Sequence, residues 1–347
     1  MSKCTDCTYP LVTVVIPTRN RRALLAEAIA SVQQQTYPNW ELIVVDDCSE
    51  DDTWSYLTSI KDSRIRVIRL ERHSERSAAR NRGLLVAQGE YVLFLDDDDR
   101  LLKEALAMLV DALESTPYAI AAIGQRILFD EQGRHQLERN PIRSFIAAVF
   151  DEALFGWVAL QGCTLYRKAV IQECGGWNED LAGPEDQELW LRLSLYGPAV
   201  FLAHPVLENR CHRGQWRARD ASDVVDEFRR TFAEGLPLHL QKRAKRILDA
   251  RAQFKVALKA YACGHYAESV RRCWVTIWMA PHLIRSPLIG RSLLGFLFRA
   301  IIGTLLGPAY TLVRKIWRAL HPSGPVASPE VRNVSAKRSK EFERNGK

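Results

Sequence analysis

The chain has 347 residues, of which 47% are hydrophobic and 26% charged, an ordinary globular composition with room for two domains or one large domain plus appendages. Its net charge of +7 is concentrated at the C-terminal end, where residues 281–320 hold Arg285, Arg291, Arg299, Arg314, Lys315 and Arg318 and no acidic residue. Residues 1–280 are close to neutral and offer no basic stripe, which argues against nucleic acid as a partner.

Met1 to Asp6 lack the apolar stretch of a signal peptide. Of eight cysteines, only Cys4 and Cys7 form a C-x-x-C, without a second pair at zinc-finger spacing, and the rest read as reduced cytosolic thiols.

Apolar runs that read as strands recur at 11–16, 41–45, 65–70 and 91–95. Between them Leu25, Ile29 and Val32 recur at helical spacing, and 77–87 is rich in alanine and leucine. Strands alternating with helices predict parallel βαβ units and an α/β fold with a mostly parallel, Rossmann-like sheet flanked by helices. Three of these strands end in polar groups: Pro17-Thr18-Arg19-Asn20, Asp46-Asp47-Cys48-Ser49, and Asp96 to Asp99. Ligands bind at the carboxyl ends of the strands in such sheets, so three polar ends at one edge mark a site.

Beyond 118 the pattern is less regular. Ala119–Ile123 and Arg126–Phe129 read as two strands, 131–133 as a turn, 142–154 as a helix and Gly162–Tyr166 as a further strand. Gly175-Gly176-Trp177 and Gly183-Pro184 punctuate a loop before a helix from Gln187 to about Tyr196. Residues 222–280 read as wholly helical, with a tetratricopeptide-like hairpin turning at Gly264.

The segment 288–313 is strongly apolar but is interrupted by Arg299, leaving uncharged stretches too short to span a bilayer. With basic flanks, an in-plane membrane helix fits better; a true span and burial against the rest of the protein are the alternatives. The tail from 322 has a disordered composition. The expected organisation is therefore an N-terminal tail (1–9), a regular α/β half (10–118), a less regular half (119–221), a helical extension (222–280), membrane-associated helices (281–320) and a disordered tail (321–347).

Asp96 to Asp99 are the most informative residues. Four adjacent like charges repel one another, and a hard divalent cation such as Mg²⁺ or Mn²⁺ would relieve that repulsion. The alternative is a solvated acidic turn capping a helix that starts near Leu101.

Taken together, the chain resembles glycosyltransferase family 2. The matching residues are Val14 to Asn20, Ser31 to Tyr37, Leu42 to Ser49, Ala79-Arg80-Asn81-Arg82-Gly83-Leu84, Gly89-Glu90-Tyr91 and Phe94 to Asp99. Gly175-Gly176-Trp177, Glu185-Asp186 and Trp190-Leu191-Arg192-Leu193 complete the series. The resemblance covers about residues 10–215 and implies a GT-A fold, with 10–118 its nucleotide-sugar-binding half and 119–221 its acceptor-side half, followed here by a helical C-terminal extension. It implies a nucleoside diphosphate sugar donor, with Pro17, Thr18, Arg19, Asp47, Arg80, Asp96 and Asp97 at donor-binding positions. Asp98 would hold Mn²⁺ or Mg²⁺, with His212 near the metal or the diphosphate. Asp97 occupies the variable position of the D-x-D motif, and Asp99 could cap the following helix. Asp186 would be the catalytic base, supported by Glu185; first-turn charges favourable to a helix dipole are the plain alternative for this pair.

Processive members of the family carry Q-x-x-R-W after the base together with several membrane spans, and neither is present, so a single-sugar transfer is expected. The implied function is inverting, metal-dependent transfer, with a UDP-sugar the commonest donor, to a glycan or lipid-linked acceptor in cell-surface polysaccharide or glycolipid synthesis. The C-terminal helices would hold the protein at the cytoplasmic, inner face of the cell membrane. A sugar nucleotidyltransferase would need a glycine-rich loop after the first strand, which Pro17 to Asn20 does not supply. A non-catalytic nucleotide-sugar-binding scaffold remains the alternative.

Overall fold

A computed structural model describes residues 9–130, 133, 135–137, 143–181, 183–211, 222–306 and 310. In chain order the elements begin with β1 (Val12–Thr18), α1 (Arg22–Gln33), β2 (Trp40–Asp46), α2 (Thr53–Ser59), β3 (Ile65–Arg69), α3 (Glu75–Val86) and β4 (Tyr91–Phe94). Next come β5 (Arg100–Leu101), α4 (Ala105–Glu114), β6 (Ala121–Asp130), β7 (His135–Leu137), β8 (Phe145–Ala147), α5 (Phe150–Phe155), β9 (Thr164–Arg167), α6 (Lys168–Glu173), α7 (Glu185–Leu193) and β10 (Ala199–Cys211). Helices α8 (Ser222–Glu234), α9 (Leu238–Ala262), α10 (Tyr266–Met279) and α11 (Gly290–Leu306) follow.

The strands form one sheet in the order β3-β2-β1-β4-β9-β6-β10-β5, with β7 beside β6 and β8 beside β10. The first four are parallel, as repeated βαβ connections require. Strand β9 then runs antiparallel to both β4 and β6, and β6 pairs with β10 in parallel. The sheet is thus a parallel nucleotide-binding-type half joined edge to edge to a mixed half through one reversed strand.

The core lies on both faces of the sheet, as continuous apolar strands demand. On one face Val12, Val14 and Ile16 of β1 pack with Leu42 and Val44 of β2, Leu25 and Ile29 of α1, and Leu106 and Leu109 of α4. On the other, Val15, Phe94 and Tyr166 pack with Trp177, Leu189 and Trp190. Gln35 explains the polar residues after α1: its amide donates to the carbonyls of Ser31 and Leu102 and accepts the N–H of Leu106, closing the start of α4.

The chain divides into two compact units, Met1–Gln253 with Val275–Leu293, and Phe254–Trp274 with Leu294–Lys347. In the second, Tyr261 meets Tyr266 and Phe296 edge-on, and Phe254 meets Phe296 in the same way. The turn expected at Gly264 is present, with φ of +83° that suits glycine. No helix among the described residues is long and apolar enough to cross a membrane.

Several expectations need correction. The two strands predicted around 119–129 are one continuous strand, β6, because Gln125 pairs with Pro205 and resumes the ladder against β10 past the register shift at Gly124. The helix expected over 142–154 is shorter and later, Phe150–Phe155, because Phe145–Ala147 pair with Ala199–Phe201 as strand. No helix starts near Leu101: Arg100–Leu101 pair with Leu207–Glu208, and α4 begins at Ala105. Helix α7 starts at Glu185 and ends at Leu193, earlier at both ends than expected. His212, Glu131, Gln132, the Cys4/Cys7 pair and the tail from 322 lie outside the described residues.

Candidate active site

The three polar strand ends meet. Thr18, the last residue of β1, donates its hydroxyl to Asp97 at 2.8 Å. The N–H of Asp47, just past β2, donates to the carbonyl of Thr18 at 2.9 Å. Parallel pairing of β1 with β2 and β4 brings the ends side by side, so residues far apart in the chain converge.

The four aspartates after β4 have four different surroundings. Asp96 is half exposed and pairs with Arg80 at 2.8 Å. Asp97 is buried against Thr18 and Arg21. Burial pushes its carboxyl up to about 6, opposed by Arg21 and Thr18 and reinforced by Asp98 and Asp96. Asp98 also meets Arg21, at 3.1 Å. Asp99 accepts both Asn209 Nδ2–H and the N–H of Arg210, at 2.9 Å each, so it ties this loop to β10 rather than capping a helix. Its carboxyl is raised by burial and by Asp96 and Asp98, against those two donors.

Arg80 organises the α7 side of the site. Its side chain is only 2% exposed and reaches Asp96 at 2.8 Å, Glu185 at 3.3 Å and Asp186 at 3.9 Å. Its guanidinium lies 4.5 Å from the Trp177 ring centroid, a cation–π contact. Burying a guanidinium is costly unless it is paired, and three carboxylates with an aromatic face meet that need. Arg80 therefore links the D-x-D end of β4 to the first turn of α7.

The motif residues around Arg80 fix its place. Helix α3 lies close on β1 because residue 83 is glycine: a Cβ there would fall 2.3 Å from Val15 Cγ1. Two residues earlier on the same helix, Asn81 donates to the carbonyl of Trp177 and accepts its N–H, both at 2.8 Å. The Trp177 loop turns through Gly175 and Gly176, both at positive φ, and Arg192 of α7 holds it by donating to the carbonyls of Cys174 and Gly176. Asn81, Gly83 and the G-G-W motif thus bear on the position of one buried guanidinium.

Asp186 is the second residue of α7, with its side chain 32% exposed and its Oδ1 buried without a hydrogen-bond partner. Loss of solvent pushes its carboxyl up to about 7; Arg80 and Arg76 oppose the rise and Glu185 and Asp96 add to it. A carboxylate that binds a proton near neutrality while part of its side chain stays open to solvent has the acidity and the access that general base catalysis requires. Glu185 is buried beneath it, against Arg76 and Arg80 at 3.3 Å each.

Asp47 is engaged within the protein. Its oxygens accept the N–H groups of Ser74 and Glu75 at 2.7 and 3.0 Å, and His73 Nδ1 lies 2.6 Å away. It serves the start of α3 from a neighbouring strand, close to the capping role that a turn carboxylate plays. Arg19 reaches Glu50 at 3.6 Å, while Asn20, at φ of +54°, accepts the N–H of Glu50 with its side chain. Pro17 lies within β1, opposite Val45.

Sequence reasoning missed Arg21, whose Nη1 bridges Asp97 Oδ1 at 3.0 Å and Asp98 Oδ2 at 3.1 Å. The signal was present as three arginines within four residues around the start of α1, Arg19, Arg21 and Arg22. Nothing in that run distinguishes which one turns toward β4.

Among the described residues, no group of three or more His, Cys, Asp and Glu side chains is gathered to hold a metal. A divalent ion bound together with substrate phosphates needs only one or two protein carboxylates, however. The Asp97–Asp98 pair already holds a cationic group at hydrogen-bond distance, so the donor set fits an open site completed by a diphosphate.

Comparison with known proteins places this geometry. The model of glycosyl transferase family 2 matches residues 13–175. A putative teichuronic acid biosynthesis glycosyltransferase of Bacillus subtilis, TuaG, is 31% identical over 221 residues, covering 60% of this chain and 84% of that protein. The UDP-Glc:alpha-D-GlcNAc-diphosphoundecaprenol beta-1,3-glucosyltransferase WfaP of Escherichia coli is 28% identical over 234 residues, covering 66% of this chain and 88% of that protein. The crystal structure of Staphylococcus aureus TarS 1-349 with UDP-GlcNAc has the same fold, with a TM-score of 0.58 at 19% identity over 85% of this chain and 92% of that one. Sheet, motifs and relatives agree: the chain belongs to glycosyltransferase family 2 and is a glycosyltransferase of the GT-A fold.

Proposed function

We propose that the protein transfers a single sugar, with inversion, from a nucleoside diphosphate sugar to a hydroxyl of a glycan or lipid-linked acceptor, with Asp186 as the base. The observation that carries this reading is the Asp186 carboxylate: raised to about 7, partly open to solvent, and connected through Arg80 to Asp96 at the strand edge. In an inverting transfer the acceptor oxygen attacks the anomeric carbon from the face opposite the phosphate. Asp186 accepts the acceptor's proton as that bond forms and the bond to the diphosphate breaks. Arg80 and Glu185 keep Asp186 oriented.

Uridine is the favoured base of the donor. TarS has been solved with UDP and with UDP-GlcNAc, and WfaP is named for a UDP-glucose donor and a diphosphoundecaprenol acceptor. On the protein side, Thr18, Arg19, Asp47 and Asp96 line the strand edge where the nucleoside would lie, Pro17 shapes the end of β1, and Asp97 holds Thr18 in place. Asp98 would ligate Mn²⁺ or Mg²⁺ there, with His212 a further candidate. Bound at that point, the ion would supply Lewis-acid stabilisation of the departing diphosphate.

The C-terminal helices are proposed to rest on the inner face of the cell membrane, where a lipid-linked acceptor is displayed. Helix α11 exposes Leu294, Phe298 and Leu305 beside Arg291 and Arg299, and α10 exposes Trp274 and Trp278 one turn apart. Basic and apolar groups together favour the interface of an anionic bilayer.

Asp186→Asn tests the base. Turnover should fall by about 10² to 10⁴, the usual contribution of a positioned base, while donor binding measured by calorimetry stays within about threefold of wild type. A variant that keeps most of its turnover would remove Asp186 from the mechanism.

A further inference from the structure

Three successive carboxylates leave β4 at Asp96, Asp97 and Asp98, and each meets a guanidinium. Asp96 has Arg80, whereas Asp97 and Asp98 share Nη1 of Arg21 at 3.0 and 3.1 Å. The two arginines are held very differently. Arg80 is locked by three carboxylates and an indole, with its side chain 2% exposed. Arg21 stands at the N-cap of α1 with its side chain 40% exposed, and it reaches both aspartates through a single nitrogen.

We propose that Arg21 is a placeholder cation: it holds Asp97 and Asp98 in the donor-free protein and leaves Asp98 when a nucleoside diphosphate arrives with its divalent ion. This rests on the metal-dependent reading above. The physical ground is competition. A guanidinium on Asp98 Oδ2 occupies the oxygen that a divalent ion would approach to about 2.1 Å, and two cations cannot share it without strong repulsion. A lone ion must displace Arg21 from Asp98 and stand beside it while Arg21 keeps only Asp97. A diphosphate changes both terms, since its oxygens complete the ion's coordination and accept the displaced guanidinium in a charge-assisted pair. The order of binding follows: the ion enters with the donor, and an empty site stays closed to free Mn²⁺ or Mg²⁺. Arg21 is thus a positioning residue for the D-x-D carboxylates.

The test is Mn²⁺ binding, read by electron paramagnetic resonance and by thermal shift, in wild type, Arg21→Gln, Arg21→Lys and Arg22→Gln, each with and without UDP. Arg22 is the control: it pairs with Asp52 and touches neither Asp97 nor Asp98. Without nucleotide, Arg21→Gln should bind Mn²⁺ about fivefold or more tightly than wild type, the scale of one half-exposed ion pair. Its melting temperature should fall in chelator and recover with Mn²⁺ by more than wild type gains. Arg21→Lys, which keeps the charge and the fold but loses the planar fork, should lie between the two, and Arg22→Gln should match wild type. With UDP present the differences should shrink. Equal Mn²⁺ affinity without nucleotide in wild type and both Arg21 variants, all of which bind Mn²⁺ with UDP, would overturn the placeholder alone. No Mn²⁺ binding by any protein, with or without UDP, would remove the metal reading and the placeholder with it.

Discussion

Asp186 gives two predictions that separate chemistry from stability. As a base it must be deprotonated, so kcat/KM should fall about tenfold per pH unit below about 7 and level off above it. For stability the sign is opposite. The folded protein holds a proton on Asp186 up to about pH 7, whereas the unfolded chain releases it near the usual carboxylate value, so ionisation between those points costs stability as pH rises. Asp186→Asn should therefore melt at a higher temperature than wild type at pH 8, with the difference vanishing toward pH 4. Melting curves at the two pH values check it, and an equal difference at both would show that Asp186 carries no such cost. Arg80 gives the converse case. Arg80→Met leaves Glu185 and Asp186 with only the half-exposed Arg76 as counter-charge, and breaking a buried network of this kind costs about 3–5 kcal/mol. Urea denaturation would measure it, and a loss under about 1 kcal/mol would mean that the network is not what holds Arg80 in place.

At the scale of elements, placement of the site depends on how closely α3 lies on β1. Gly83→Val should push the helix off Val15 and cost about 1–3 kcal/mol, with a loss of turnover because Arg80 and Asn81 sit on the same helix. Retained stability and activity would mean that the helix position is not critical. The parallel half of the sheet was legible because each strand is a short apolar run ending in polar groups, and each intervening helix shows its period. The mixed half was not. Strand β10 carries Pro205 and a register shift on either side of it, so no clean alternation marks it as a strand. Short β5 and β8 exist only because β10 is there to pair with them. The same holds for the site. The strand-end residues and the Glu185-Asp186 pair could be picked out as motifs, but the Arg80 hub and the Arg21 bridge depend on which side chain turns inward, and one sequence contains no such direction.

For the whole molecule, the proposed membrane attachment and catalysis are separable in principle. The exposed Arg285, Arg291 and Arg299 lie outside the strand-edge site, so replacing all three with Glu should weaken binding to anionic vesicles steeply, at about 1 kcal/mol per lost positive charge before the added repulsion. Co-sedimentation would read this, with turnover on a soluble acceptor kept as the control. Vesicle binding unchanged by the triple substitution would move the attachment elsewhere. The central claim is that the carboxyl edge of the parallel strands binds a nucleoside diphosphate through Asp98 and a divalent ion, with Asp186 reserved for the chemistry. Calorimetric titration with UDP, GDP and dTDP, with and without Mn²⁺, tests it most directly. Wild type and Asp186→Asn should bind one of the nucleotides, UDP on the present account, and only with Mn²⁺, while Asp98→Ala should lose that binding. Undiminished binding by Asp98→Ala, or no binding of any nucleotide by wild type, would contradict it.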